Sequence, residues 1–375
     1  MKQSITPNQI KENNRNLIYQ YIYRKKKVSQ QDISYDLRLS RPTITTNLSS
    51  LEEDGLITKN GQIDTEYVGR KAAAYSIVAD FRVAIGVELL KNEVKMIAID
   101  LYGNKLLRHV HEISYKNEDT YFQTVCQEII NFKNSIGLTD EQILGVGFAI
   151  QGLISPDYKT VIYGKILDCT DLSITALSKY LPYPCSFIHD ANSAAIAELW
   201  VSPDLNDAFY LSLSTHLGGS LIINRKLMNG AHGHNSTIEH IQLEPKGKLC
   251  YCGKHGCIET LCSIHALLKG TETIDDFFEN VRNHNEEAMI RWHTYLSNLA
   301  RTINLVHLIY DKTFILGGYL APYLTEADLD FLYAEIQKLT PFPENSDFLQ
   351  ISKMPKHNIT IGAALPYIQE FLGLK

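Results

Sequence analysis

His240 and the thiols Cys250, Cys252 and Cys257 lie in one run, HIQLEPKGKLCYCGKHGC. A Cys-x-Cys-x4-Cys spacing with an imidazole ten residues upstream supplies the four donors of a closed tetrahedral zinc site, the structural kind. His232, His234 and His255 are nearby imidazoles that compete for the fourth position. Free cysteines buried near a turn are the bland alternative, but three thiols in eight residues, spaced by Gly253 and Gly256, argue against it. Cys126, Cys169, Cys185 and Cys262 are scattered, and the total of seven is odd. That usage suits a reducing compartment with one metal site better than a disulfide framework. Structural Zn2+ is therefore expected.

The elements that must hold such a site come from a chain of 375 residues, long enough for two or three domains. No apolar run is long enough to span a bilayer, and MKQSITPNQIKENN lacks the apolar core of a secretory signal. A cytoplasmic protein with no membrane partner is expected. Residues 1–79 carry 12 Lys and Arg against 8 Asp and Glu, a balance of +4. The remainder carries 24 against 34, a balance of −10, so any anionic partner belongs to the head.

Within that head, Leu17, Ile18, Tyr21 and Ile22 share a helical face. Ser29 to Asp32 reads as a capping box opening a second helix, with Ile33 and Leu37 inward. Ser40 caps a third helix with Pro42 in its first turn, Ile44, Leu48 and Leu51 facing the core, and Gly55 as a left-handed stop. The outward face offers Thr43, Thr45 and Thr46, flanked by Arg41 and Asn47. Short donors and a guanidinium at the start of a helix suit base edges and phosphates in a major groove. Two apolar stretches bracket a polar tip with Asn60-Gly61 as its turn signal, and Arg70 on that wing suits a narrow minor groove. Helix, helix, helix, hairpin is the winged helix-turn-helix order. A three-helix protein-interaction module is the competing reading.

From Arg82 onward, buried strands at 83–87, 94–99, 144–150, 186–188, 208–213 and 314–316 alternate with helical stretches, which argues for an α/β body in two blocks. At this point the chain resembles the ROK family and its repressor branch. The resemblance rests on Asn229 to Glu259, HDAN at His189 to Asn192, GVGFAIQGLISP from Gly145 to Pro156, ILGG from Ile315 to Gly318, and Val68 to Arg70 after the winged helix. It implies a two-lobed actin-like ATPase (ribonuclease H-like) fold behind the winged helix. The expected domains are 1–79, the DNA-binding head; 80–194, a first lobe joined by the C-terminal helix 362–375; and 195–361, a second lobe with the metal site and a dimerisation surface.

The same resemblance carries expectations about chemistry. Family kinases seat ATP with a loop D-x-G-G-T; here the matching run is Glu88-Leu89-Leu90-Lys91-Asn92, with no glycine to admit phosphate. The second segment, G-T-G-x-G-G, is Ser214-Thr215-His216-Leu217-Gly218-Gly219. Phosphoryl transfer is therefore not expected, and no catalytic residue is assigned. The family's sugar-binding positions fall on His189, Asp190, Thr237, His240 and Glu259. The family's Asn and first Glu are replaced by His189 and Thr237, and neighbouring glycines by Ser236 and Glu239, so the ligand differs from that of a glucokinase. Without ATP, Asp190 serves as a hydroxyl acceptor and not as a base. The implied protein is a repressor of carbohydrate genes, bound to a double-stranded operator as a homodimer or dimer of dimers and released by a sugar or sugar derivative. A ROK sugar kinase with a DNA-binding head, or a repressor governed by a protein partner, are the alternatives.

Overall fold

The structure, a computed structural model, describes residues 6–63, 72–343, 345–354 and 356–374. Two compact units divide the chain. The first is Met1–Val83 with Asp100–Asn104 and Gln369–Lys375; the second is Ala84–Ile99 with Lys105–Ile368. The smaller unit thus extends past residue 79 and recruits two segments distant in sequence.

In the smaller unit, helix α1 (Pro7–Lys25) starts at a Thr6–Gln9 capping box. Helix α2 (Gln30–Leu37) is capped reciprocally: the Ser29 hydroxyl accepts from the Asp32 amide, and Asp32 accepts from the Ser29 amide. Helix α3 (Arg41–Glu53) begins at Ser40, whose hydroxyl accepts the Thr43 amide, with Pro42 in the first turn where the missing N–H is harmless. Gly55 follows its end at φ +73°. Ile18, Ile22, Ile33, Ile44, Leu48 and Leu51 form the core between the helices.

A three-stranded sheet closes this unit, with Ala72–Ile77 between Val28–Ser29 and Ile57–Ile63, both pairings antiparallel. Asn60-Gly61 is not the hairpin turn. It sits inside the strand, at a register shift between Lys59 and Gln62 that forms a bulge, with Gly61 at φ +72°. The expected face of α1 also shifts. Leu17 is 44% exposed, while Tyr19 is buried and meets the Phe371 ring edge-on at 6.4 Å. Gln20 donates to the Leu372 carbonyl at 2.9 Å, and Tyr23 stacks on Tyr102 at 5.0 Å. Partners from distant segments bury a flank that helical spacing alone assigns to solvent.

The larger unit holds two five-stranded mixed sheets. The first runs Cys185–His189, Ile143–Ile150, Val83–Leu89, Val94–Ile99, Lys105–His111. The second runs Lys226–Leu227, Leu217–Ile223, Ala208–Leu213, Thr313–Gly317, Leu349–Ile351. Helix Asn358–Leu372 lies against the first sheet so closely that side chains are excluded. A Cβ at Gly86 would fall 1.7 Å from the Thr360 carbonyl oxygen, and one at Gly147 1.9 Å from that of Ala363. Phe209, Leu211, Leu316, Trp292 and Leu299 belong to one core that also takes in Ile238 and Ile258. The loops carrying His240 and Cys257 are therefore anchored by neighbours buried in that core.

Candidate ligand cavity and metal centre

A cavity of ≈ 550 Å³ opens in the larger unit, large enough for a small ligand. His189 ends the strand Cys185–His189, and Asp190 begins helix Asp190–Val201, so both stand at the carboxyl end of a parallel strand. That end is where ligands gather in α/β sheets. Ser212 pairs with Gly218 and Leu213 with Leu217, which leaves 214–216 as a hairpin tip and sends His216 to the cavity. A single 3₁₀ turn, Ile238–His240, presents Glu239 and His240 together. Tyr251, between two of the thiols, adds its ring, which meets His216 edge-on at 5.4 Å and His240 at 5.1 Å.

The polar groups divide into spent and unspent. The Thr237 hydroxyl donates to the His234 carbonyl at 3.0 Å, so this residue lines the cavity with its proton already engaged. Asp190 is buried; its Oδ1 accepts the Ala191 amide at 2.8 Å and lies 3.4 Å from His189 Nε2. Glu259 corrects the expectation of a direct ligand contact: it is not among the lining residues. Its Oε1 lies 2.7 Å from His216 Nδ1, and its Oε2 accepts the Leu217 amide at 2.8 Å. Glu259 is thus engaged by His216 and the Leu217 amide. Glu239 is only 6% exposed and its Oε2 has no hydrogen-bond partner. Its Oε1 stands 3.8 Å from His240 Nε2, too far for a hydrogen bond. Burial pushes the Glu239 carboxyl up to about 8, and the charges of Glu259 and Asp190 push the same way.

His216, Glu239 and Tyr251 join the sequence-derived set here. His216 and Glu239 stand where the family pattern has glycine, so in the sequence they register as lost features. The gain of an imidazole and a carboxyl was the available signal.

His240, Cys250, Cys252 and Cys257 converge, with one donor atom from each lying within 4.8 Å of all the others. Sulfurs about 2.3 Å from a tetrahedral centre lie about 3.8 Å apart. Here Cys252 and Cys257 sulfurs are 3.7 Å apart, and Cys250 Sγ is 3.8 Å from His240 Nδ1. The set fits a metal ion. Burial keeps the His240 imidazole below its ordinary value, hence neutral and able to ligate. Burial also raises the Cys250 thiol to about 12, so a cation is needed to hold it as thiolate. The bridges Gln242 to Cys257 and Leu249 to His255 draw the loop shut. Gly256 is required there, because a Cβ would fall 1.5 Å from the Glu244 carbonyl oxygen. His255 Nδ1 lies 3.1 Å from the Gly247 carbonyl, and neither it nor His232 nor His234 joins the cluster.

A second buried polar group sits at the end of strand Val83–Leu89. Tyr319 donates to Glu88 Oε1 at 2.6 Å, and Lys95 donates to the Tyr319 hydroxyl at 2.7 Å while lying 4.3 Å from its ring centroid. Lys95 also pairs with Glu93 at 3.1 Å. Tyr319 follows Gly317-Gly318 directly and so ties the strand Thr313–Gly317 to the first sheet.

In the smaller unit, α3 exposes Arg41, Thr45 and Thr46, with Thr43 half-buried. Thr45 accepts from the Gln30 amide at 2.6 Å, which brings Gln30 of α2 to the same face. Asn47 is a correction: it is 4% exposed, and its amide donates to the Thr43 carbonyl at 2.7 Å. One position beyond Thr46 the helix has turned it into the core, where it cannot reach a base. Arg70 lies outside the described residues.

The ROK family model matches residues 84–367. The chain belongs to the ROK family. A winged helix-turn-helix DNA-binding model matches residues 12–58 ahead of the ROK body. Among curated relatives, the DNA-binding transcriptional dual regulator NagC of Escherichia coli is 26% identical over 69% of this chain and 64% of its own length, so under two thirds of that relative is matched. The xylose repressor of Bacillus spizizenii is 24% identical over 70% of this chain and 69% of its own. The crystal structure of a ROK family transcriptional regulator, homologous to the E. coli MLC protein, shares 20% identity and a TM-score of 0.72 over 97% of this chain and 96% of that one. A ROK glucokinase from Streptomyces griseus, solved with glucose and AMPPNP, gives 0.67 at 20% identity over 76% of this chain and 98% of that one. The body thus has the ROK actin-like fold, and the head is a winged helix. No helix among the described residues is long and apolar enough to cross a membrane.

Proposed function

We propose that this chain is a DNA-binding transcriptional repressor of carbohydrate uptake or catabolism genes, released when a sugar or sugar derivative fills the cavity. The observation that carries this reading is the joint presence of an α3 face exposing Arg41, Thr45 and Thr46 and a ROK body with a polar cavity lined by Asp190, His189 and Glu239. Relatives named as a DNA-binding transcriptional dual regulator, NagC, and as a xylose repressor support it. Sugar kinases share the fold, but here Leu89 and Leu90 stand where phosphate would approach backbone, and Glu88 is held by Tyr319. Those features favour a sensor over an enzyme.

The four ligands His240, Cys250, Cys252 and Cys257 would hold Zn2+ in a structural role. When bound, the ion locks the loop and fixes the His240 tautomer. Nδ1, 3.8 Å from Cys250 Sγ, would be the ligating nitrogen, with Nε2 on the Glu239 side of the ring. Release from the operator follows if the ligand binds one conformation of the repressor better than the other, since equal affinity shifts nothing. A homodimer or dimer of dimers supplies the two heads that two half-sites require.

Selection of the purified chain against random duplexes, followed by gel-shift titration with a sugar panel, tests the reading. An enriched sequence released by a sugar is expected. Sugar-dependent ATP turnover, or a head that enriches no sequence, would overturn it.

A further inference from the structure

The cavity's interior is polar. Asp190 and Glu239 are buried carboxyl residues, and Glu239 Oε2 has no partner. His216 adds an imidazole. Its Nδ1 is held 2.7 Å from Glu259 Oε1, which fixes the ring beside the cavity. The lysines among the lining residues, Lys165 and Lys254, are both exposed. An unpaired buried carboxyl oxygen costs free energy until a hydrogen-bond partner reaches it, so a bound group is needed to complete this interior.

The placement of these groups departs from the family pattern. Thr237 occupies the position where the family pattern has a sugar-reading acid, and its hydroxyl is engaged by His234. The 3₁₀ turn carries a carboxyl back to the cavity two residues later, at Glu239. Likewise Glu259 is withdrawn behind His216, which takes its place.

Resting on the inducer reading above, we infer that Glu239 and His216, with Asp190, read the ligand, and that its recognised edge is a neutral or amino-bearing polyol, not a phosphorylated or carboxylated one. Glu239 is a binding residue, and Glu259 is a positioning residue for His216. A hydroxyl both donates and accepts and so satisfies a carboxyl in either form, whereas a phosphate would bring further negative charge among two carboxyl groups with no buried lysine or arginine among the lining residues.

The test is calorimetric titration of the zinc-loaded full chain with glucose, xylose, glucosamine, glucuronate and glucose 6-phosphate, repeated on Glu239→Gln. The expected result is that a neutral or amino sugar binds at least about tenfold more tightly than either anionic one. Glu239→Gln should then weaken that sugar by on the order of ten- to a hundredfold, with zinc content and melting temperature unchanged. Tightest binding by glucuronate or glucose 6-phosphate overturns the inference, as does an unaltered Glu239→Gln. Loss of zinc in Glu239→Gln also overturns it, since that marks an anchor for His240 instead of a ligand contact. No heat with any of the five would defeat the inducer reading itself, and this inference with it.

Discussion

Two buried polar clusters in the larger unit carry acids of similar burial and treat them differently. Glu88 accepts from Tyr319, which accepts from Lys95; the cluster is closed on itself. Glu239, equally buried, leaves an oxygen unpartnered beside a cavity. Desolvation favours the neutral acid in both, but only one offers a vacancy to a ligand. A satisfied buried network stabilises and specifies the fold, whereas an unsatisfied oxygen beside a cavity has hydrogen-bonding capacity left for a bound molecule. In this ROK body the closed cluster is at the run matching the kinases' first phosphate loop, and the open one is beside the metal loop.

The contrast can be broken or sharpened experimentally. Cys257→Ser should have the largest effect. Structural zinc sites contribute on the order of 10 kcal/mol in small modules, so the variant should lose its zinc, fall by more than about 5 °C in melting temperature, and lose sugar binding. Metal analysis and thermal denaturation read this out, and retained sugar affinity in a zinc-free variant would separate the metal from the cavity. Tyr319→Phe removes the donor to Glu88 and should cost about 1–3 kcal/mol in denaturant unfolding, while sugar affinity stays within a factor of about two. A large affinity change there would erase the distinction between the clusters.

Glu259→Gln should weaken sugar binding about tenfold at unchanged zinc content. The double variant with His216→Ala should lose no more than His216→Ala alone, because the two residues act as one unit. Additive losses would show Glu259 contacting the ligand directly. Smallest is the head. Arg41→Ala should reduce operator affinity several-fold and shrink the salt slope by about 1. Asn47→Ala should cost about 1 kcal/mol of stability and leave base preference unchanged, as gel-shift titration across operator variants would show.

Local chemistry made much of this readable in the chain. The Ser29–Asp32 box, the Ser40 cap with Pro42, and the Gly55 stop each depend on residues a few positions apart, and each forms as the spacing implies. The four metal donors lie within eighteen positions and converge for the same reason. What stayed hidden depends on distant partners or on loss and gain at one position. Tyr19 is buried by Phe371 from the other end of the chain, which helical periodicity cannot show. Asn60-Gly61 carries turn chemistry but is used as a bulge, because the antiparallel pairing continues to Ile63 opposite Ala72. His216 and Glu239 are invisible as binding groups so long as they are counted only as absent glycines.

The hairpin tip at 214–216 has an evolutionary corollary. A single side chain there both crowds a segment that in kinases must stay bare and furnishes an imidazole to the neighbouring cavity. Restoring glycine there would remove the imidazole from the cavity, while Leu89 and Leu90 would still crowd the run matching the kinases' first phosphate loop. Admitting phosphate and lining the cavity thus make opposite demands on one position.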